Sequence, residues 1–236
     1  IDGIEASYIA LCDGNVGIPM ATSQDHKRIF DDDKGPNTGG MGAYSPTPVV
    51  DSVLAKKIQE EIINKTMSSL KNEGINFKGF LYAGVMIHND RPYVLEYNVR
   101  MGDPECQPIL MRFNSDLLEY LIAASEGRLS HLPEISWSKQ YAVCVVIASK
   151  GYPGYYSKND VISGFENIPN NVNVFHAGTI NDGEKILTNG GRVLGITALG
   201  DTLHDAINNA YTANEKITCA SKYFRSDIGK KGLNLF

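Results

Sequence analysis

Twice in the first hundred residues, two short apolar runs meet at a turn signal, and this limits the fold more than any other feature of the chain. Glu5–Leu11 and Val16–Met20 flank Asp13-Gly14-Asn15, and Phe80–Ile87 and Tyr93–Tyr97 flank Asn89-Asp90-Arg91. β-Prone residues on both sides of a turn rich in Asp, Asn and Gly mark β-hairpins. Between them Asp51 stands as the N-cap of a helix reaching about Asn72, with Leu54, Ile58, Ile62, Met67 and Leu70 near helical spacing and Gly74 as the stop. The expectation is an α+β fold in which an antiparallel sheet is backed by this helix.

The stretch Ala21–Val50 is dense in Gly, Pro, Asn, Asp and Ser around GPNTGGMG, which argues against a helix or a central strand and for a long loop with little to pack on. Loops of this length in a compact domain tend to be functional. Pro104–Met111 and Asp116–Ser125 read as short helices, and Gly127–Trp137, with Pro133, as a boundary. Beyond it Ala142–Ala148, Val172–His176, Ile186–Thr188 and Val193–Leu199 read as strands. The helix Thr202–Ile217 then carries an apolar stripe of Leu203, Ala206, Ile207, Ala210 and Ile217. Two domains are expected, 1–137 and a β-rich 138–236.

Charge excludes some classes of partner. A formal net charge of -5 gives no general field toward nucleic acid or an anionic membrane, so phosphate binding has to be local. No apolar run approaches the roughly 18 residues of a membrane helix. Cys12, Cys106, Cys144 and Cys219 lie far apart, which suggests neither a zinc site nor a disulfide framework and fits a cytoplasmic protein. The chain starts at Ile1 with IDGIEASYIAL already running toward a strand, so it is expected to be the remainder of a longer polypeptide.

Three groups of residues could carry chemistry. In Leu95-Glu96-Tyr97-Asn98, residues two apart on a strand present Glu96 and Asn98 on one face, two hard oxygen donors of the kind magnesium takes beside water and phosphate. An outward-facing polar pair is the plainer alternative on spacing alone. Arg100, Asp103 and Glu105 crowd further charge beside them, and an Arg fork can clamp a phosphate or carboxylate. In Ser23-Gln24-Asp25-His26-Lys27-Arg28, Lys27 and Arg28 could neutralise a phosphate and Asp25 or His26 orient a polar substrate, against the alternative of a solvated turn. Asp31-Asp32-Asp33 reads as such a solvated turn. The glycines of Gly35–Gly42 could let backbone N–H groups cradle an anion, or simply form a tight surface turn; neither generic nucleotide signature, GxxxxGK[ST] or GxGxxG, is present.

Several long strings go further. SQDHKRIFDDDKGPNTGGMGAYSPTP and LYAGVMIHNDRPYVLEYNVRMGDPECQPILMRFNSDL closely resemble the signature and metal-site stretches of the glycinamide ribonucleotide synthetase family, and CVVIASKGYPGYY, VFHAGT, GGRVLGITALGDTLHDAI and YFRSDIG resemble its C-terminal domain. The resemblance spans essentially the whole chain. It implies the C-terminal lobe of an ATP-grasp domain over 1–137, then a small β-rich C-terminal domain over 138–236. The implied reaction is ATP-dependent ligation of glycine to 5-phosphoribosylamine through glycyl phosphate, giving glycinamide ribonucleotide, ADP and phosphate in purine synthesis. By the same resemblance Glu96 and Asn98 would be ligands of Mg²⁺ (or Mn²⁺), Arg100 and Asp103 would lie beside the substrates, and Glu5 on the nucleotide side. Asp25, Lys27, Asn37, Thr38, Gly39 and Gly40 would line the phosphoribosylamine and glycine side. The family's N-terminal domain and small ATP-grasp lobe, with the phosphate-gripping lysine, precede such a segment, so this part alone is expected to be inactive. Alternatives are another ATP-grasp ligase or carboxylase, against which QDHKR and GPNTGGMGA argue, and a non-catalytic module of the same fold.

Overall fold

The computed structural model describes residues 2–235. In chain order the first strands are β1 (Ile4–Asp13), β2 (Gly17–Pro19), β3 (Gln24–Asp25), β4 (Arg28–Phe30), β5 (Lys34–Asn37), β6 (Gly42–Ser45), β7 (Lys78–His88) and β8 (Arg91–Asn98). After them come β9 (Tyr141–Ser149), β10 (Val161–Ile162), β11 (Val172–His176), β12 (Thr179–Asn181), β13 (Ile186–Thr188), β14 (Arg192–Gly200) and β15 (Lys222–Tyr223). The helices are α1 (Ser52–Ile58), α2 (Asn64–Asn72), α3 (Cys106–Met111), α4 (Leu117–Glu126), α5 (Leu203–Lys216) and the short α6 (Lys230–Leu233).

The chain forms two compact units, and they interleave rather than divide at one point. The first comprises Ile1–Gln24, Pro46–Gly102 and Arg112–Ser138; the second Asp25–Ser45, Asp103–Met111 and Lys139–Phe236. In the first, an antiparallel sheet runs β2-β1-β7-β8, so β8 is an edge. The hairpin β7–β8 closes through Asn89 and Asp90, both at positive φ (48° and 56°), as a tight twisted turn requires. Asp51 caps α1 by accepting from the Leu54 N–H at 2.8 Å, and a π-helical turn, Gln59–Ile63, joins α1 to α2 without a break. Ile58, Ile62, Ile63 and Met67 from this long helix bury against Ala6, Tyr8, Ala10, Leu81, Ala83 and Val85. Side chains alternate across a strand, so the partners of these residues, Glu5, Ser7, Ile9, Tyr82 and Gly84, face the other way.

The second unit is built on a sheet of order β11-β14-β9-β6-β3, with β15 paired to β9. α5 covers one face, seating Leu203, Ala206, Ile207 and Ala210 with Val143, Val145, Ile147, Leu194 and Ile196. Two sequence expectations need correction here. Within the segment expected to be all loop, Gly42–Ser45 is an inner strand: it pairs with Cys144, Val143 and their neighbours on β9, and Gly42 also accepts from the His26 N–H at 2.9 Å. All four residues are buried. Small side chains are what the position demands, since a Cβ on Gly42 would stand 2.7 Å from the Cys144 carbonyl oxygen; burial between neighbours, not intrinsic propensity, makes this a strand. The Asp31-Asp32-Asp33 run is not a merely solvated turn either, because Asp31 and Asp33 are ligated by Ser226 and Arg225.

Candidate active site

The residues singled out in the sequence fall into two groups, one on each unit. The first lies on the face of the β2-β1-β7-β8 sheet opposite α1 and α2. Register places Glu96 beside Gly84, which is opposite Ser7, and Asn98 beside Tyr82, which is opposite Ile9; Glu5 lies one row along, opposite Met86. Glu5, Glu96 and Asn98 therefore share the face turned away from α1 and α2. Tyr97 points to the helix side, where its hydroxyl lies 2.8 Å from Thr66 Oγ1. A bulge between Gly84 and Val85 leaves Leu95 without a partner on β7, just before the pair. Bulges of this kind re-aim side chains next to functional sites. Glu96 is exposed, and Arg100 donates to the adjacent Met101 carbonyl at 2.8 Å.

Gly84 was not singled out in the sequence, where a lone glycine inside LYAGVMIH is its only signal. A Cβ there would meet Glu96 Cγ at 3.1 Å and Tyr82 Cε1 at 3.5 Å. In Gly84→Val the added branches are expected to push the Glu96 carboxylate aside, lowering any turnover that depends on Glu96 by about tenfold or more, with a loss of about 1–3 kcal/mol in stability from the overpacking itself. A variant with wild-type turnover would show that Glu96 does not need this seat.

The second group belongs to the other unit. Asp25 and Lys27 pair at 3.3 Å, with Asp25 mostly buried. The Lys27 carbonyl accepts from both the N–H and the hydroxyl of Thr38, at 2.7 and 2.8 Å. Gly40 N–H donates to Thr38 Oγ1 (3.0 Å), Gly39 N–H to the Tyr152 hydroxyl (3.0 Å) and Met41 N–H to the His26 carbonyl (2.8 Å). Four consecutive amides are thus engaged within the protein, so this conformation is a braced turn and not an N–H cradle. Asn37, at the end of β5, stays exposed beside it.

Arg192 is the other residue missed from sequence, flagged there only by the turn signal Gly190-Gly191. Its Nη1 donates to the carbonyls of Gly39 (2.7 Å), Gly40 (3.4 Å) and Asp103 (2.8 Å), while Nη2 donates to Asp103 Oδ2 at 2.8 Å. One rigid guanidinium thereby fixes Asp103 against the glycine turn. Gln107 Nε2 adds a longer contact to Asp103 Oδ1 at 3.5 Å. Among the described residues no group of three or more His, Cys, Asp or Glu could hold a metal ion.

Two family models match successive stretches of the chain. Residues 1–106 match the phosphoribosylglycinamide synthetase ATP-grasp (A) domain and residues 142–231 the phosphoribosylglycinamide synthetase C domain. The chain belongs to the phosphoribosylglycinamide synthetase family. It is 48% identical over 235 residues to the phosphoribosylamine–glycine ligase of Vibrio parahaemolyticus, covering 99% of this chain and 54% of that one. It is 50% identical over 236 residues to that of Neisseria meningitidis serogroup B, covering 99% and 56%. The crystal structure of phosphoribosylamine–glycine ligase from Thermotoga maritima superposes with a TM-score of 0.87 at 35% identity, over 96% of this chain and 56% of that chain. The chain thus spans about half the length of the curated relatives it matches. A likeness to Kluyveromyces lactis urea carboxylase, TM-score 0.68 at 13% identity over 93% of this chain and 18% of that one, concerns the fold alone.

Proposed function

We propose that this chain is the C-terminal part of a phosphoribosylamine–glycine ligase. In the reaction, a glycine carboxylate oxygen attacks the γ-phosphorus of ATP and ADP leaves. The amine of 5-phosphoribosylamine then attacks the carbonyl carbon of glycyl phosphate, expelling phosphate and giving glycinamide ribonucleotide, a step of de novo purine synthesis. The observation that carries the reading is the gathering of Glu5, Glu96 and Asn98 on one face, opposite α1 and α2, of a sheet matched by the family's ATP-grasp model. Glu96 and Asn98 would hold Mg²⁺ (or Mn²⁺). Their donor set fits, because two hard oxygens leave coordination positions for phosphate oxygens and water, as magnesium prefers. When bound, the cation neutralises the phosphate oxygens as the γ-phosphoryl group transfers.

The roles proposed for the remaining residues rest on the family resemblance. Glu5 serves the nucleotide side and Arg100 the transferring phosphate. Asp103, held still by Arg192, orients an amine, and Asp25, Lys27 and Asn37–Gly40 take phosphoribosylamine and glycine. By descent we assign 1–137 to the ATP-grasp lobe and 138–236 to the C-terminal domain, supported by the limits of the two family matches. Among the described residues no helix is long and apolar enough to cross a membrane. We assign a cytoplasmic location, although an Arabidopsis thaliana relative 47% identical is named chloroplastic. The part present here is expected to be inactive alone. ADP release by the complete enzyme tests the reaction: it should require glycine and phosphoribosylamine together, and release with bicarbonate in place of glycine would favour the carboxylase alternative.

A further inference from the structure

The β4–β5 hairpin starts just after Lys27 and ends at Asn37, so its stem carries the braced turn of the substrate side. Its other side is gripped by residues about two hundred positions later in the chain. Asp31 accepts from the Ser226 N–H at 2.9 Å and from the Ser226 hydroxyl at 2.5 Å, and the Asp32 N–H donates to Asp227 Oδ2 at 2.9 Å. Arg225 is wholly buried: Nε and Nη2 fork onto Asp227 at 2.7 and 2.6 Å, and Nη1 reaches Asp33 Oδ1 at 3.1 Å and the Arg28 carbonyl at 2.9 Å. Lys231 also pairs with Asp33. The Tyr223 hydroxyl donates to the Ile29 carbonyl at 2.8 Å, and its ring meets Phe30 edge-on.

This grip ends one residue from Lys27, whose carbonyl holds Thr38. We propose that Tyr223–Lys231 is a strut for the substrate turn and that Arg225 is a positioning residue setting affinity for phosphoribosylamine. It acts through Lys27, whose ammonium suits that substrate's phosphate. The inference rests on the assignment of Asp25, Lys27 and Asn37–Gly40 to the substrate side. Arg225 touches no substrate; a displaced guanidinium would leave Asp33 and Asp227 without their shared partner and free the stem to shift.

Two variants of the complete ligase test this. Arg225→Lys keeps the charge but loses the planar fork, and Tyr223→Phe removes only the hydroxyl given to Ile29 while keeping the ring contact. Expected are a KM for phosphoribosylamine raised about tenfold in the first and about threefold in the second, with KM for ATP and the melting temperature of Tyr223→Phe nearly unchanged. The amides of Thr38 and Met41 should exchange about tenfold faster in Arg225→Lys. Equal rises in both KM values, or faster exchange with an unchanged KM for phosphoribosylamine, would reduce the strut to a fold-stabilising contact and overturn the inference, as would unchanged exchange in both variants. Asp25→Asn and Asn37→Ala, assayed alongside, separate the two readings: if neither alters KM for phosphoribosylamine, the substrate-side assignment itself fails, whereas the exchange rates still decide whether the strut holds the turn.

Discussion

In the complete ligase, Glu96→Gln and Asn98→Ala are each expected to slow product formation more than about a hundredfold while the protein stays folded. Both residues sit on the edge strand β8, on the face away from α1 and α2, and Glu96 is exposed, so neither side chain is part of the core beneath those helices. Removing one hard oxygen ligand weakens cation binding and misaligns the γ-phosphate. A loss of about 3 kcal/mol in transition-state stabilisation is enough for a hundredfold effect. Raised Mg²⁺ should restore part of the rate in each variant. Tyr97→Phe is the internal control: it lies between the pair in sequence but faces α2 and contacts Thr66, so its loss should leave turnover within about twofold. Near wild-type rates at limiting Mg²⁺ in Glu96→Gln and Asn98→Ala, with melting curves unchanged, would mean that the pair is only a polar strand end.

The elements legible in the sequence are those whose stability is local. The hairpin at Asn89-Asp90, the Asp51 cap and the α5 stripe each announce themselves through turn chemistry, capping or periodicity over a few residues. β6 does not, because Gly42-Ala43-Tyr44-Ser45 becomes a strand only when β9, about a hundred residues later, supplies its partner. The same holds at the candidate site. The spacing of Glu96 and Asn98 is visible in the sequence, but the bulge at Leu95 and the seat at Gly84 depend on the register of β7. Arg192 and Arg225 carry little local signal of their role: Asp227 is close to Arg225 in sequence, but Gly39 and Asp103 reach Arg192, and Arg28 and Asp33 reach Arg225, only through the fold.

The second unit should lose stability between pH 6.5 and 4.5, and His26→Gln should remove most of that loss. His26 is wholly buried beside Tyr44. Its Nε2 accepts from the Gly229 N–H at 3.4 Å, and its Nδ1 has no hydrogen-bond partner among the described residues. Burial, reinforced by the positive charges of Lys231 and Arg225 and only partly opposed by Asp227 and Asp33, pushes its pKa down from 6.5 to about 3. The folded state therefore favours the neutral ring. The stability this confers is complete above 6.5, where the unfolded chain is also neutral, and it falls as pH drops toward 3 because only the unfolded chain gains the proton. Because the unfolded histidine is already half protonated at 6.5, the two pH units below it amount to about 2 kcal/mol. The carboxylates of Asp33 and Asp227 act with the same sign but lower on the scale. Burial alone would raise them, yet Lys231 and Arg225 on Asp33, and the Arg225 fork on Asp227, hold both below the ordinary 3.8, so their contribution is lost only as pH falls through that value. Denaturant midpoints at pH 6.5 and 4.5 thus isolate the histidine: the wild-type chain should lose about 2 kcal/mol across the interval and His26→Gln less than about 1. Equal losses in the two proteins would mean that His26 reaches water, or a proton, without unfolding.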